Sequence, residues 1–158
     1  MTGALAKPGA WIQVVLETES LGPLSALERW HQQLAVQFGT LPAAESSFVG
    51  RVRGTNAQAK ALEHLELEHY PGMSEAHLEQ LAISSAESHA VQAVLVHHRV
   101  GLIAPGEAIV LVAVAADRRG PAQRCCQELL EALKHNAPFW KREWCGGVGT
   151  WIEGNTPW

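Results

Sequence analysis

The sequence predicts an α+β sandwich, and three observations carry that prediction. Short apolar segments of strand character alternate with stretches of helical periodicity. Several of these segments are separated by brief turns containing Gly, Pro or Asn, of the kind that close hairpins. Of the 158 residues, 47% are hydrophobic and only 18% are charged, so the chain can bury a real core as one domain, residues 1–158, and is not disordered over most of its length.

Each element has its own signal. Residues 11–16 form a short apolar strand. Ser25, Ala26, Leu27 and Glu28 have the form of a capping box, and Leu27, Trp30, Leu34 and Phe38 follow at helical spacing until Gly39 stops the helix. Residues 42–47 are expected as a loop leading into a strand over residues 48–53, and Gly54, Thr55 and Asn56 supply turn chemistry. Residues 65–69 alternate as a half-buried strand should. Pro71 and Gly72 break that strand, and Ser74 is placed to cap a helix carrying Leu78, Leu81 and Ala82. Residues 91–96 and 109–115 are apolar strands, the second entered through a turn at Pro105 and Gly106. Gly120 and Pro121 open the last long helix, since proline fits a first turn, and Ala122, Cys126, Leu129, Leu130 and Leu133 form its buried stripe. Beyond Glu143 the chain is Gly-rich with Trp144, Trp151 and Trp158; it is either mobile or ordered by a partner, and residues 152–158 read as a flexible tail.

Composition excludes several classes of function. A formal charge of −4 and a pI near 6.0 argue against a general nucleic-acid binder, so any anion site must be a local cluster of cations. No apolar run approaches the roughly 20 residues that a membrane helix needs, and residues 1–11 lack the apolar core of a signal peptide. Three cysteines are an odd number, and Cys125 and Cys126 are adjacent, a poor arrangement for a mutual disulfide. The expectation is a cytoplasmic chain with reduced thiols. Eight histidines invite a metal, but His97 and His98 are neighbours on a strand and point to opposite faces. His64 and His69 are also out of phase, and no Cys-x-x-Cys or His-Glu-x-x-His pattern exists, so no metal site is expected.

The most informative stretch surrounds a break near the C-terminal end. Lys134 closes the last long helix, Pro138 prevents its continuation, and Phe139 and Trp140 offer anchors for the backbone from which Lys141 projects. A cation held in this way serves an anionic ligand or, once desolvated, acts in proton transfer or as a nucleophile. The alternative is a basic helix end favoured by the macrodipole and followed by a packed aromatic loop.

Five groups of residues then resemble one family in order and near spacing, over roughly residues 45–151. They are Gly50-Arg51-Val52-Arg53-Gly54-Thr55-Asn56; Leu67-Glu68-His69-Tyr70-Pro71-Gly72-Met73; and His98-Arg99-Val100-Gly101 with Pro105-Gly106-Glu107. Arg118-Arg119 and then Leu133-Lys134 with Ala137-Pro138-Phe139-Trp140-Lys141-Arg142-Glu143 complete the set. The chain is similar to the large, catalytic subunit of molybdopterin synthase. The resemblance implies an α/β-hammerhead sandwich with an antiparallel or mixed sheet and a small additional β subdomain. It also implies a homodimer binding one small ubiquitin-like subunit at each end, giving a heterotetramer. The small subunit's C-terminal thiocarboxylate would deliver sulfur to cyclic pyranopterin monophosphate, and two transfers would build the dithiolene of molybdopterin. No cofactor is implied, because the sulfur comes from the partner. By matched position, Lys134 and Lys141 would be the catalytic lysines, and Arg51, Val52, Arg53, Arg118, Arg119, Lys134, Lys141, Arg142 and Glu143 would line the substrate site.

One departure bears on chemistry. The family commonly has His-Arg where this chain has Arg118-Arg119, and a guanidinium cannot titrate in a working range. Arg118 therefore favours anion binding over proton transfer at that position. Arg119 and Lys134 flank one helix and lie fifteen residues apart, about 22 Å along its axis. A pocket holding one small pterin is thus expected to be shared, with one chain giving Lys134 and Lys141 and its dimer mate giving Arg118 and Arg119. Two other functions stay open on sequence: a non-catalytic module that binds a ubiquitin-like tail, and a thiol enzyme using Cys145. Cys125 and Cys126 read as packing residues.

Overall fold

The computed structural model describes residues 9–136 and 138–153. The elements run β1 (Trp11–Glu17), α1 (Pro23–Phe38), β2 (Ala44–Arg51), β3 (His64–His69), α2 (Met73–His89), β4 (Ala93–Arg99), β5 (Gly101–Ile103), β6 (Ala108–Ala116), α3 (Arg119–Asn136), β7 (Phe139–Cys145) and β8 (Val148–Ile152). Two four-stranded sheets result, one ordered β1-β4-β6-β2 and a smaller one ordered β5-β3-β7-β8. The larger sheet is mixed: β1 runs parallel to β4, whereas β6 is antiparallel to both β4 and β2. The smaller sheet is wholly antiparallel. This is the α+β sandwich with an additional β subdomain that the sequence led us to expect.

Strand alternation divides the larger sheet between two cores. Val94, Val96, Val112 and Val114 face α2 and α3, where they meet Leu78, Ala82, Cys125, Leu129 and Leu133. Ala93, Leu95, Leu111, Ala113 and Ala115 face α1 and meet Ala26, Trp30 and Leu34. All seven residues of β4 are buried because both faces are covered, which is why that strand reads as a continuous apolar run. A third, smaller cluster of Val52, Leu67 and Ile103 sits under the smaller sheet. Cys125 and Cys126 are buried in the first core, and burial pushes the Cys125 thiol up to about 12, so both act as packing residues.

Four local expectations change. The helix α1 begins at Pro23, with Gly22 preceding it; Ser25 lies inside the first turn and donates to the Gly22 carbonyl, so the Ser25–Glu28 pattern is not a capping box here. In α2 the residue before the helix is Gly72, at φ +82, and its N–H donates to the Glu75 carboxylate at 2.5 Å. Ser74 is two places too late to cap. The strand β2 begins at Ala44, inside the expected loop, because its pairing with β6 extends to Ala44 opposite Ala116. Finally, residues 139–152 form the hairpin of β7 and β8, turning on Gly146 and Gly147 at φ +56 and +76. Two adjacent residues at positive φ are what a two-residue hairpin turn requires, and glycine meets that without strain. The expected flexible tail begins at Ile152, which ends β8; residues 154–158 lie outside the described residues.

Candidate functional site

Two elements deliver the lysine pair. Lys134 lies exposed in the last turn of α3, and Lys141 is half-buried on β7. In the antiparallel register Lys141 stands opposite Leu67, which is 1% exposed, and residues directly opposite share a face. The aliphatic stem of Lys141 therefore lies beside the small core, and Phe139, two residues earlier, is on the same face. Desolvation holds the Lys141 ammonium below its ordinary pKa of 10.5, and the charge of Lys134 lowers it further.

Beneath this pair lies a histidine whose surroundings sequence reasoning had not assigned. His98 is buried on β4, and its ring packs on Phe139 with centroids 4.4 Å apart. Its Nδ1 donates to the Arg99 carbonyl at 2.7 Å, leaving the other ring nitrogen as acceptor in the neutral form. Burial lowers its pKa from 6.5 to about 4, against the Arg99 carbonyl, with Lys141 and His97 adding to the depression. Arg99, also buried, ties the adjoining segments together by donating to the carbonyls of Thr18, Val100 and Leu102. As the alternation required, His97 faces the other way, its Nε2 3.5 Å from a Glu17 oxygen.

The arginines divide into those facing solvent and one that is enclosed. Arg51 and Arg53 are exposed on either side of Val52, which is buried with Leu67 and Ile103. The Val52 backbone pairs with Glu107 and Gly106, so this residue fixes the direction of its two neighbours. Arg118 and Arg119 are exposed at the start of α3, Arg118 lying 4.0 Å from Asp117. Arg142 is placed elsewhere. It is adjacent to Lys141 on β7 and so projects from the opposite face, where Nε and Nη2 reach Glu66 at 2.7 and 2.6 Å. Its guanidinium sits 4.7 Å from the Trp144 ring centroid and 4.6 Å from that of Trp151. The same Glu66 oxygen accepts from Trp144 Nε1 at 2.9 Å; that bond and Arg142 hold the Glu66 carboxyl below its usual range. Arg142 thereby helps to hold β3, β7 and β8 together. Glu143, two residues beyond Lys141, returns to the lysine face.

The remaining constellations are simpler. Cys145 ends β7 half-buried, and Asn56 Nδ2 donates to its sulfur at 3.6 Å. Among the described residues no group of three or more His, Cys, Asp or Glu is arranged to hold a metal ion, and no helix is long and apolar enough to cross a membrane. A shallow groove bounded by Trp11, Gln33, Val36 and Gln37 lies against α1, on the face of the larger sheet away from α3.

The chain's likeness to known proteins bears on its family. A family model described as MoaE protein matches residues 25–136, more than half the chain, a span that includes Lys134 but stops short of Lys141. A molybdopterin synthase catalytic subunit from Caulobacter vibrioides is 44% identical over 110 residues, covering 70% of this chain and 71% of that one. One from Mesorhizobium japonicum is 38% identical over 141 residues, covering 84% and 87%. Among solved structures, a molybdopterin biosynthesis MoaE protein from Burkholderia ambifaria superposes with a TM-score of 0.72 at 32% identity, covering 93% of this chain and 91% of that one. Molybdopterin synthase from Staphylococcus aureus gives 0.72 at 25% identity, covering 89% and 96%.

Proposed function

The chain belongs to the MoaE family, and on that premise we propose that it works as the catalytic subunit of a molybdopterin synthase. Sulfur passes from the thiocarboxylated C-terminus of a small ubiquitin-like subunit to cyclic pyranopterin monophosphate, and two transfers complete the dithiolene. The observation that carries this reading is the desolvated Lys141 amine, paired with Lys134 at the junction of α3 and β7. An amine whose protonation is disfavoured carries protons or briefly accepts an acyl group at neutral pH far more readily than an ordinary surface lysine. Lys134 supplies a second cation to draw in the anionic tail.

Arg51, Arg53, Arg118 and Arg119 are exposed and suited to phosphate, which a guanidinium meets with two parallel hydrogen bonds. Val52 supports Arg51 and Arg53 from the small core, Glu143 borders the lysines, and Arg142 keeps their strand in place. Arg119 begins α3 and Lys134 lies in its last turn, so roughly 22 Å of helix separates them. That separation supports a pocket completed by the dimer mate. The working assembly is then a homodimer of this chain with two small subunits, in the cytoplasm, without a cofactor of its own.

One assay tests the reading: purified protein, cyclic pyranopterin monophosphate, and the small subunit with or without its thiocarboxylate. Molybdopterin is expected only with the thiocarboxylated partner. Tail binding with no product would instead indicate a non-catalytic module. Product formation that is lost in Cys145→Ser would move the chemistry to the thiol.

A further inference from the structure

The two lysines sit on different elements, and α3 ends at Asn136 while β7 begins at Phe139. The last carbonyls of a helix lack partners within it, and a helix end left to itself frays. Fraying here would change the separation of Lys134 from Lys141. The structure supplies partners from the first turns of α2. His77 Nε2 donates to the Asn136 carbonyl at 2.8 Å. Ser74 Oγ donates to the Pro138 carbonyl at 3.3 Å while accepting from the Tyr70 N–H at 2.9 Å. Ser74 is fully buried, so this hydroxyl is not a casual surface contact. Three residues apart on a helix, Ser74 and His77 share one face. Tyr70, just before α2, adds a third link, its ring meeting Trp140 edge-on with centroids 4.9 Å apart.

We propose that Ser74 and His77 are positioning residues for the lysine pair: by holding the carbonyls of Pro138 and Asn136 from one face of α2, they fix the distance and direction between Lys134 and Lys141. The proposal rests on the lysines being the reactive groups. It goes beyond that reading by assigning their spacing to two side chains on α2 that bond the backbone on either side of the proline break. Packing of His98 on Phe139 steadies the same strand, and α2 supplies the part of the clamp that acts on the helix end.

The test uses the full complex with the thiocarboxylated small subunit and cyclic pyranopterin monophosphate, comparing Ser74→Ala, His77→Ala, the double variant, Ser74→Thr and His77→Gln. A displacement of about 1 Å between reacting groups lowers turnover by about 100-fold, so the double variant should lose roughly 10- to 100-fold in kcat with KM nearly unchanged. Ser74→Thr, which keeps the hydroxyl, and His77→Gln, which keeps an N–H donor, should recover most of that loss. The titration of Lys141, followed by NMR on 13C-labelled lysine, should move up towards an ordinary lysine value as Lys134 drifts away. The proposal is overturned if the double variant keeps its kcat. It is equally overturned if its activity falls only in step with its melting temperature while the Lys141 titration stays in place. Lys134→Ala and Lys141→Ala serve as controls: if either remains active the lysine reading itself fails, whereas the NMR titration still reports whether the clamp sets the spacing.

Discussion

Burying the stem of Lys141 beside Leu67 strips water from its ammonium group, and the positive charge of Lys134 disfavours protonation further. Both effects act in the same direction, so the uncharged amine forms at lower pH than in an ordinary lysine. The rising limb of kcat/KM against pH should therefore lie below 10.5, and replacing Lys134 by Met should move it upward while also lowering activity. A limb at the ordinary lysine value that ignores Lys134→Met would contradict this coupling. Desolvation acts on His98 in the same way, since its buried ring resists protonation. The folded pKa, about 4, lies below the unfolded value of 6.5. Between those values the unfolded chain binds a proton that the folded chain refuses, so stability is full above about pH 6.5 and falls as pH drops towards 4. That gap is worth ~3 kcal/mol at most. His97, lowered mainly by burial, adds loss of the same sign. Urea unfolding at a series of pH values should show this acid loss, and His98→Asn should flatten it, at the expense of a lower plateau near neutrality.

The strand β7 presents a different chemistry on each face, lysine and phenylalanine on one side, arginine between tryptophans on the other. Its enclosed Arg142 makes charge-assisted bonds to Glu66 and two cation–π contacts, so Arg142→Ala should cost ~2–3 kcal/mol. Arg142→Lys should recover little of it, because a point charge cannot reproduce the planar fork. Thermal unfolding checks the stability loss, and because Arg142 faces away from Lys141, any loss of activity should follow the loss of folded protein. A large fall in kcat at full stability would return Arg142 to the substrate site. Much at this scale was legible in advance. The three helices and the strands β1, β3, β4 and β6 follow directly from periodicity, and Lys134 and Lys141 were marked out by the proline break between them. What escaped was information that neighbours supply. The stretch after Pro138 shows no strand signal of its own because its alternation mixes Trp, Arg and Lys, and only the partner strands β3 and β8 explain which side each faces. The two adjacent glycines at 146 and 147 were the one local sign of that hairpin. Ser74 looked like a cap because its contact with Pro138 spans 64 residues of sequence, beyond any local pattern.

The largest question of scale is set by the length of α3. Its ends hold two cationic groups that a substrate of pterin size cannot bridge within one chain, Arg118 and Arg119 at the start and Lys134 with Lys141 at the finish. A two-fold dimer that set the start of one α3 against the finish of the other would solve this without altering the fold, and symmetry would supply that contact twice. The arrangement has an arithmetic consequence. In a dimer pairing a Lys141→Ala chain with an Arg119→Ala chain, one shared site collects both defects and the other collects neither. Random exchange makes about half of all dimers mixed, and half of their sites are intact, so about a quarter of wild-type activity should return on mixing two nearly inactive parents. Sites confined to single chains would each keep one defect, and mixing would then return nothing. The measurement is the molybdopterin yield after unfolding and refolding the two variants together, with each variant refolded alone as the baseline. Recovery in the mixture with none in the separate samples requires that the lysines and the arginines of one working pocket come from different chains.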